Sequence, residues 1–587
     1  MRFVFAIVAF VIAAVLIGGG IAQRTIFLPP DQITASVAIT SKAPVTVIEG
    51  PTLTAFPNHQ HIQLSGADKA FAAYGRTDDV LGWVGASSYN LVSYDKKTKQ
   101  LASKLIEGTE NVVPNPAGSD LWLAEYPQPL GRGPYSSVPN TISFIIVSDG
   151  TAPAPSGVSL SWPVDNSTPW VVPLLIAGIG FLLLGLILLL WAIAHVRRAR
   201  GPRRRSPKMP KLPKQPRYKP SKRPTAVTTG SRGRRSSRTS LIAAPLALAG
   251  IVALSGCTSI TIAPNADTAD PKGTTNTSNA EAALPPAVTV LQADRIIARI
   301  AAVAASADKK LDASTLADRF AGPALALRTA NYKIRKVDKT EPAVATIQTH
   351  VRLVLPQQND KWPRTVFAVV DKQDDEKVAP IALMLVQDDA RSQYKVHYAA
   401  NLEPGTVIPQ VAGPKIGTQR LDPDGTFFAV APSGLAAAYG DILSKDAKSA
   451  SYPLFDPNND SLRTEVGLAA QKAAQKKLPK TAKLTFSNAP GTEPVIVLAT
   501  LDQGAIVATE LEETQTVKPV QTGATVNAPK SIKALSGKAV STKGITATYG
   551  DQLIFFVPPQ ASTTGTPGLI QLLGYGQGLI SAAEVKK

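Results

Sequence analysis

The chain is 587 residues long, enough for several domains that each bury their own core. Its formal charge of +19 is concentrated in one place: residues 197–238 hold 17 Lys or Arg and no Asp or Glu, leaving 45 basic against 43 acidic residues elsewhere. Near-neutral folded parts exclude a basic groove on a nucleic-acid-binding domain. The single cysteine, Cys257, excludes an intramolecular disulfide.

Taken in chain order, the first segment (1–24) is apolar. Phe3 to Ala22 are twenty uncharged positions between Arg2 and Arg24, enough to cross a hydrocarbon core of about 30 Å. It reads as a retained anchor. A cleaved signal peptide is the alternative, because Gly20-Ile21-Ala22 is a small-x-small site. Either reading places the next domain outside the membrane.

Residues 25–168 show short runs of two-residue alternation broken by Gly, Pro and Asn, such as Val45 to Ile48, Tyr89 to Tyr94 and Thr141 to Val147. That pattern predicts an antiparallel β-sandwich or a related all-β domain. The runs Tyr74-Gly75-Arg76-Thr77-Asp78-Asp79-Val80, Trp83-Val84-Gly85 and Gly118-Ser119-Asp120-Leu121-Trp122-Leu123-Ala124-Glu125 resemble actinobacterial membrane proteins, a resemblance that brings no activity with it.

The segment 169–196 is the clearest span. Trp170 to Ala194 carry no charge, with Trp170 and Trp191 near the ends where interfacial rings belong. Arg197, Arg198, Arg200, Arg203, Arg204 and Arg205 follow and mark the cytoplasmic end by the positive-inside rule. The rest of 197–240 is rich in Pro, Ser and like charge, which predicts a disordered cytoplasmic linker that clings to anionic headgroups.

A third apolar segment, 241–257, ends in Leu254-Ser255-Gly256-Cys257. Basic region, apolar region and small-residue tetrapeptide occur in the order of a bacterial lipobox, so Cys257 is expected to be lipid-modified; a plain third span is the alternative. Met209 lies inside the basic linker, and a chain starting there would read as a lipoprotein precursor. Two neighbouring envelope proteins fused into one chain would produce this layout.

Residues 258–284 read as a flexible tether. Beyond it, Val290, Ala293, Ile297, Ile300 and Ala304 step by three and four, as in an amphipathic helix. A second helix is expected over 314–332 and strands over 344–355, 365–371, 381–387 and 394–402. The order then repeats, with helices over 433–443 and 462–477 and strands over 483–486, 495–501, 506–516, 545–549 and 553–557. Two α+β units, 285–415 and 416–587, each with a helix on a curved antiparallel sheet, follow from that repeat. The layout resembles the cone-like fold of nuclear-transport-factor-2-like and cystatin-like domains. Arg319-Phe320-Ala321-Gly322-Pro323-Ala324-Leu325, Arg328-Thr329-Ala330, Tyr332 and Trp362-Pro363-Arg364 resemble actinobacterial lipoproteins, again without established chemistry.

Candidate sites are few. Asp78, Asp79 and Asp120 are expected to cap turns and satisfy backbone N–H groups. His59 with His61, and separately His350 and His397, alternate with apolar positions and are expected on solvent faces. Asp456-Pro457-Asn458-Asn459-Asp460 departs from a calcium loop at Ser461 and Gly467. Gly574-Tyr575-Gly576-Gln577-Gly578 lacks the βαβ context of a phosphate loop. No catalytic, cofactor-binding or metal-ligating set emerges. The expectation is a non-enzymatic, membrane-anchored envelope protein that binds or scaffolds an envelope protein, glycan or lipid, with no cofactor and no nucleic acid. An envelope hydrolase or transferase with its site in a cone-like unit is the alternative.

Overall fold

The computed structural model describes residues 2–57, 60–126, 131–136, 138–199, 284–373, 375, 377–560 and 568–586. The chain divides into two compact units, one built on two apolar helices and the other comprising Thr25–Thr168 and Ala282–Lys587.

In the first unit, helices Arg2–Thr25 and Val171–Ala199 are both long and apolar enough to cross a membrane. They touch through small residues. Ala6, Ala9 and Ala13 are buried, and a Cβ on Gly178 would stand 2.6 Å from Ile17 Cγ1. Close approach over glycine and alanine is how helices associate where solvent gives no hydrophobic drive. Large side chains such as Ile176, Leu183 and Ile187 remain exposed on the outer faces. The second helix runs beyond the expected end at 196 to include Arg197 and Arg198, both exposed.

The second unit begins with a β domain of two sheets. One has four antiparallel strands in the order Gln32–Ala38, Gly157–Pro163, Gln60–Ser65 and Gly131–Ser136. The other has six, in the order Gln100–Ile106, Tyr89–Asp95, Val45–Ile48, Ile142–Val147, Phe71–Arg76 and Ala124–Tyr126. Alternating apolar residues meet between the sheets, with Ile62, Leu160 and Trp162 from one against Ile48, Phe144 and Ile146 from the other. The expected β-rich domain is present as two sheets with apolar residues between them, with two departures from the expectation. Val45–Ile48 runs parallel to Tyr89–Asp95, and Thr77–Val84 is a helix. Eight residues are too few to register a 3.6-residue period, although Val80, Trp83 and Val84 do share its buried side.

The outer face of the six-stranded sheet is also apolar. Val47, Ala73 and Ile145 lie under Trp83 and Trp122, and Ala390 from the C-terminal domain joins the same cluster.

That C-terminal domain opens with helix Val290–Lys310, started by a Thr289–Gln292 capping box. A short 3₁₀ turn, Leu316–Asp318, and helix Gly322–Val337 follow in place of one helix over 314–332. Pro323 fits the first turn of the latter, where its missing N–H costs nothing. The expected helix over 462–477 is likewise split, at Gly467, into Ser461–Val466 and Leu468–Lys477.

The two expected α+β units share one nine-stranded antiparallel sheet. Strands His350–Pro356, Arg364–Asp371, Ile381–Gln387 and Lys395–Leu402 form one half; Gln571–Glu584, Ile545–Val557, Ala505–Pro519, Ala482–Pro490 and Ile496–Ala499 form the other. The halves join where Asn401 and Leu402 pair with Tyr575 and Gly574. A Cβ on Gly574 would lie 2.4 Å from Asn401 O, and one on Gly576 would lie 2.5 Å from Ala399 O, so these glycines permit the junction. The run 574–578 is therefore mid-strand, in a fourteen-residue strand that glycine-poor strand patterns do not announce.

Each half has an apolar face toward a common core of Phe367, Met384, Tyr398, Ile506, Ala508 and Ile554. Residues 418–421 hydrogen-bond Gln358 on one half and Val497 and Ala499 on the other, closing the open side. The outer face of the first half (Val366, Ala368, Leu383) packs on helices Val290–Lys310 and Gly322–Val337. That of the second (Leu511, Leu553, Phe555) packs on helix Leu435–Lys445 through Tyr439 and Leu443.

Candidate functional site

The most concentrated chemistry in the described residues lies where the C-terminal domain sits on the outer face of the six-stranded sheet. Most acceptors belong to the β domain and most donors to its neighbour, Arg76 of the β domain being the exception. Asp120 follows the turn before Ala124–Tyr126, and its side chain is fully buried. Arg319, after the 3₁₀ turn, reaches it at 2.5 Å; Arg299, on the first long helix, reaches it at 3.3 Å. The Tyr394 backbone N–H donates to the same carboxylate at 2.9 Å. Arg299 also pairs with Glu125 at 3.0 Å and donates to Gly118 O at 2.8 Å. One turn earlier, Arg295 donates to Trp122 O and Leu123 O, and Gln292 donates to Asp120 O and Leu121 O. Residues 292, 295 and 299 share a helix face by their spacing, so one helix face holds a single loop of the β domain.

A second centre is Asp79, in the first turn of helix Thr77–Val84. It pairs with Arg76 at 2.9 Å and with Arg364 at 2.7 Å, and both Asp79 and Arg364 side chains are all but fully buried. Arg364 stacks on Trp362, 4.0 Å from its ring centre, while Arg76 donates to Pro286 O and Ala287 O across the interface. Trp362 lies against the same helix at Gly82, where an added Cβ would stand 2.6 Å from the ring. Glycine within a helix costs stability, and close approach of the indole accounts for it.

At the rim, Arg391 donates to Trp83 O and Val84 O at the C-terminal end of that helix, at 2.9 and 2.8 Å. Those carbonyls have no partner within their helix, and a cation there also meets the negative end of the helix dipole. Arg391 also donates to Ser87 Oγ and, through Nη1, to Glu110, each at 2.9 Å, and the hydrogen bonds from Arg391 and Ser87 hold the half-exposed Glu110 carboxyl below its ordinary range. Between the centres, Trp83 and Trp122 meet at a tilt of 58° with ring centroids 5.7 Å apart.

The runs Tyr74–Val80, Trp83–Gly85, Gly118–Glu125, Arg319 and Trp362–Arg364 thus meet at one interface. The expectation that Asp79 and Asp120 cap turns is corrected: both are buried ion-pair centres. Asp78 alone stays exposed at the start of the helix. A sequence signal existed, because arginines at 295, 299, 319, 364 and 391 and acids at 79, 110, 120 and 125 fall in separate domains, but pairing them needs the tertiary structure.

The other candidates scatter. His350 is exposed and pairs with Asp371 at 2.5 Å. His397 is corrected: a bulge opposite Met384 and Leu385 half-buries it, and burial lowers its pKa. His61 is half-buried on its strand, and His59 lies outside the described residues. Asp460 accepts from Arg463 N and Tyr439 O–H and caps a helix. Cys257, Leu254, Ser255, Gly256, Arg200, Arg203, Arg204 and Arg205 lie outside the described residues. Among the described residues no three His, Cys, Asp or Glu are grouped to hold a metal.

Three carboxyls in the second half-sheet are displaced upward. Burial, reinforced by Glu513, pushes Asp551 up to about 8, and burial raises Glu513 itself. Burial also pushes Glu510 up to about 7, with Glu512 and Glu493 adding to it. Register shows how they are disposed. Leu511 pairs with Asp551, Glu513 with Tyr549 and Glu510 with Gln552, so Asp551 and Glu513 share one face of the sheet, both fully buried, while Glu510 points to the other. A cavity of about 180 Å³ opens where helix Gly322–Val337 crosses the sheet junction, lined by Leu327, Arg328, Ile347, Asn401, Gln552 and Gln577. Its one cation, Arg328, is already paired with Asp308 at 2.7 Å.

The family model described as Domain of unknown function (DUF8094) matches residues 284–584. The chain belongs to this family. The match takes in the whole C-terminal domain, both half-sheets together, in keeping with their shared core. It includes every arginine of the interface except Arg76. No curated protein and no solved structure matches the chain.

Proposed function

We propose that this is a non-enzymatic, membrane-anchored envelope protein in which the β domain is a membrane-held platform and the DUF8094 domain is the module it presents to an envelope protein, glycan or lipid. The observation that carries the reading is the use of the chemistry-bearing side chains. The buried Asp79, Asp120, Arg319 and Arg364 are spent on holding two domains together. Asp551 and Glu510 lie on opposite faces of a sheet, where they cannot share a substrate, and Glu513, on the same face as Asp551, is as fully buried as its neighbour. Two apolar helices flank the β domain in sequence, and the basic run after the second favours placement of both folded domains outside the cytoplasm. Lipid attachment at Cys257, at the end of the third apolar segment, would add a further anchor next to the DUF8094 domain.

Protease shaving of intact cells carrying tags at both ends, together with lipid labelling of Cys257, tests this reading. The expected result is loss of the C-terminal tag with intact cells and label incorporation that Cys257→Ser abolishes. A C-terminal tag protected in intact cells and soluble after lysis contradicts it.

A further inference from the structure

The contact between the two domains has the make-up of a surface between separate chains. Each side has its own core, and among the described residues no strand of one domain pairs with a strand of the other. What crosses is a small apolar centre rimmed by charge. Trp362 and Ala390 of the DUF8094 domain join Trp83 and Trp122 of the β domain. Around them, the β domain contributes Asp79, Glu110, Asp120 and Glu125, and the DUF8094 domain contributes Arg299, Arg319, Arg364 and Arg391. This segregation of sign onto opposite surfaces, interrupted by Arg76 of the β domain beside Asp79, suits recognition between bodies that fold first and dock afterwards. Aromatic and arginine anchors at the centre with a wetter rim have the anatomy of a binding interface. The chain linking the domains, residues 169–283, supplies none of these contacts among the described residues.

We infer that the β domain and the DUF8094 domain form a complex that does not depend on the chain between them, so that a cut between residues 200 and 283 yields two polypeptides that stay bound through the arginine–carboxylate surface. The inference deepens the scaffold reading and rests on it only for location: a lipobox cut before Cys257 would leave one product held by two apolar helices and the other by lipid. The partner of the β domain's acidic surface is then a folded, arginine-bearing DUF8094 domain, in cis or from a second copy of this chain.

The test uses the full-length protein purified in detergent, with a specific protease site inserted between residues 230 and 231 and cut after folding. The expected result is co-elution of the two fragments on size exclusion. Glu110→Lys, at the exposed rim, is expected to slow reassociation of fragments separated at high salt while leaving the uncut protein's circular dichroism unchanged. Arg319→Ala is expected to abolish co-elution after the cut. Wild-type fragments that part on cutting, each still folded, overturn the inference. So does unfolding of either fragment on cutting, because the contact would then be a core and not an interface. Shaving of intact cells is read separately, so an inverted topology and a failure of the two-chain complex give different results.

Discussion

Asp120 and Arg319 pair at 2.5 Å with the carboxylate fully buried, although 199 residues separate them in sequence. A buried carboxylate is tolerated only when its oxygens are taken up by donors, and Asp120 receives Arg319, Arg299 and the Tyr394 N–H. This one residue therefore fixes the C-terminal domain against a loop of the β domain at three points.

Removing the acid should leave a buried guanidinium unpaired. Asp120→Ala is expected to destabilise the folded unit by about 3–5 kcal/mol. Arg319→Met combined with Asp120→Leu should recover part of that loss, because neither charge then remains uncompensated. Denaturant unfolding of the three variants against wild type measures both effects.

Packing at Gly82 makes a second prediction. Even a methyl group there overlaps Trp362, whose ring carbons would lie 2.6 and 2.7 Å away. Gly82→Ala should cost about 1–3 kcal/mol despite alanine's better helix propensity, the sign being set by overpacking at the interface. Pairing it with Trp362→Leu should restore stability if the steric conflict is the cause. Thermal unfolding of the single and double variants decides this.

The displaced Asp551 carboxyl predicts a pH dependence. Its folded-state pKa is raised from the ordinary 3.8 to about 8, so between those values the folded protein binds a proton that the unfolded chain releases. The contribution of Asp551 to stability is then greatest below about pH 4, falls by up to about 1.4 kcal/mol per pH unit across the window, and levels off above about pH 8. Glu513 and Glu510, raised by burial in the neighbouring strand Ala505–Pro519, act in the same direction. Asp551→Asn should flatten that slope and stabilise the protein at neutral and alkaline pH, which urea midpoints measured across this range would show.

Helix pairing in the apolar unit depends on Gly178, where a Cβ would stand 2.6 Å from Ile17 Cγ1 and 3.3 Å from Ala13 O. Gly178→Val should separate helices Arg2–Thr25 and Val171–Ala199, whereas Gly180→Val, with open space around it, should not. Disulfide trapping between cysteines placed on the two helices, in a Cys257→Ser background, distinguishes the two variants.

Much of this architecture was legible from residue patterns, for reasons that differ by element. Val290, Ala293, Ile297 and Ile300 announce their helix because one apolar face serves one core. The strand over 381–387 is legible because its β-rich run is buried by a sheet partner on each side, whereas the expected strands 545–549 and 553–557 are one strand, Ile545–Val557, that runs through Gly550. Gln571–Glu584 was hidden because three glycines, at 574, 576 and 578, look like a loop until the close approach of Asn401, Ala399 and Leu327 to them is known. The interface was hidden for a related reason. Asp79 and Asp120 have the local context of turn caps, and nothing within about ten residues of either reveals an arginine from Arg319 or Arg364. Long-range ion pairs leave no period in a sequence, so their members are visible and their pairing is not.

The most direct check on the docked arrangement is site-specific photo-crosslinking in the full-length protein, with a photoreactive residue in place of Gln393, whose amide donates to Gly118 O at 3.2 Å. The arrangement predicts an intramolecular crosslink to residues 116–122 of the β domain, found by mass spectrometry and lost in Asp120→Ala. A crosslink confined to the C-terminal domain, or captured on a different part of the β domain, would contradict it.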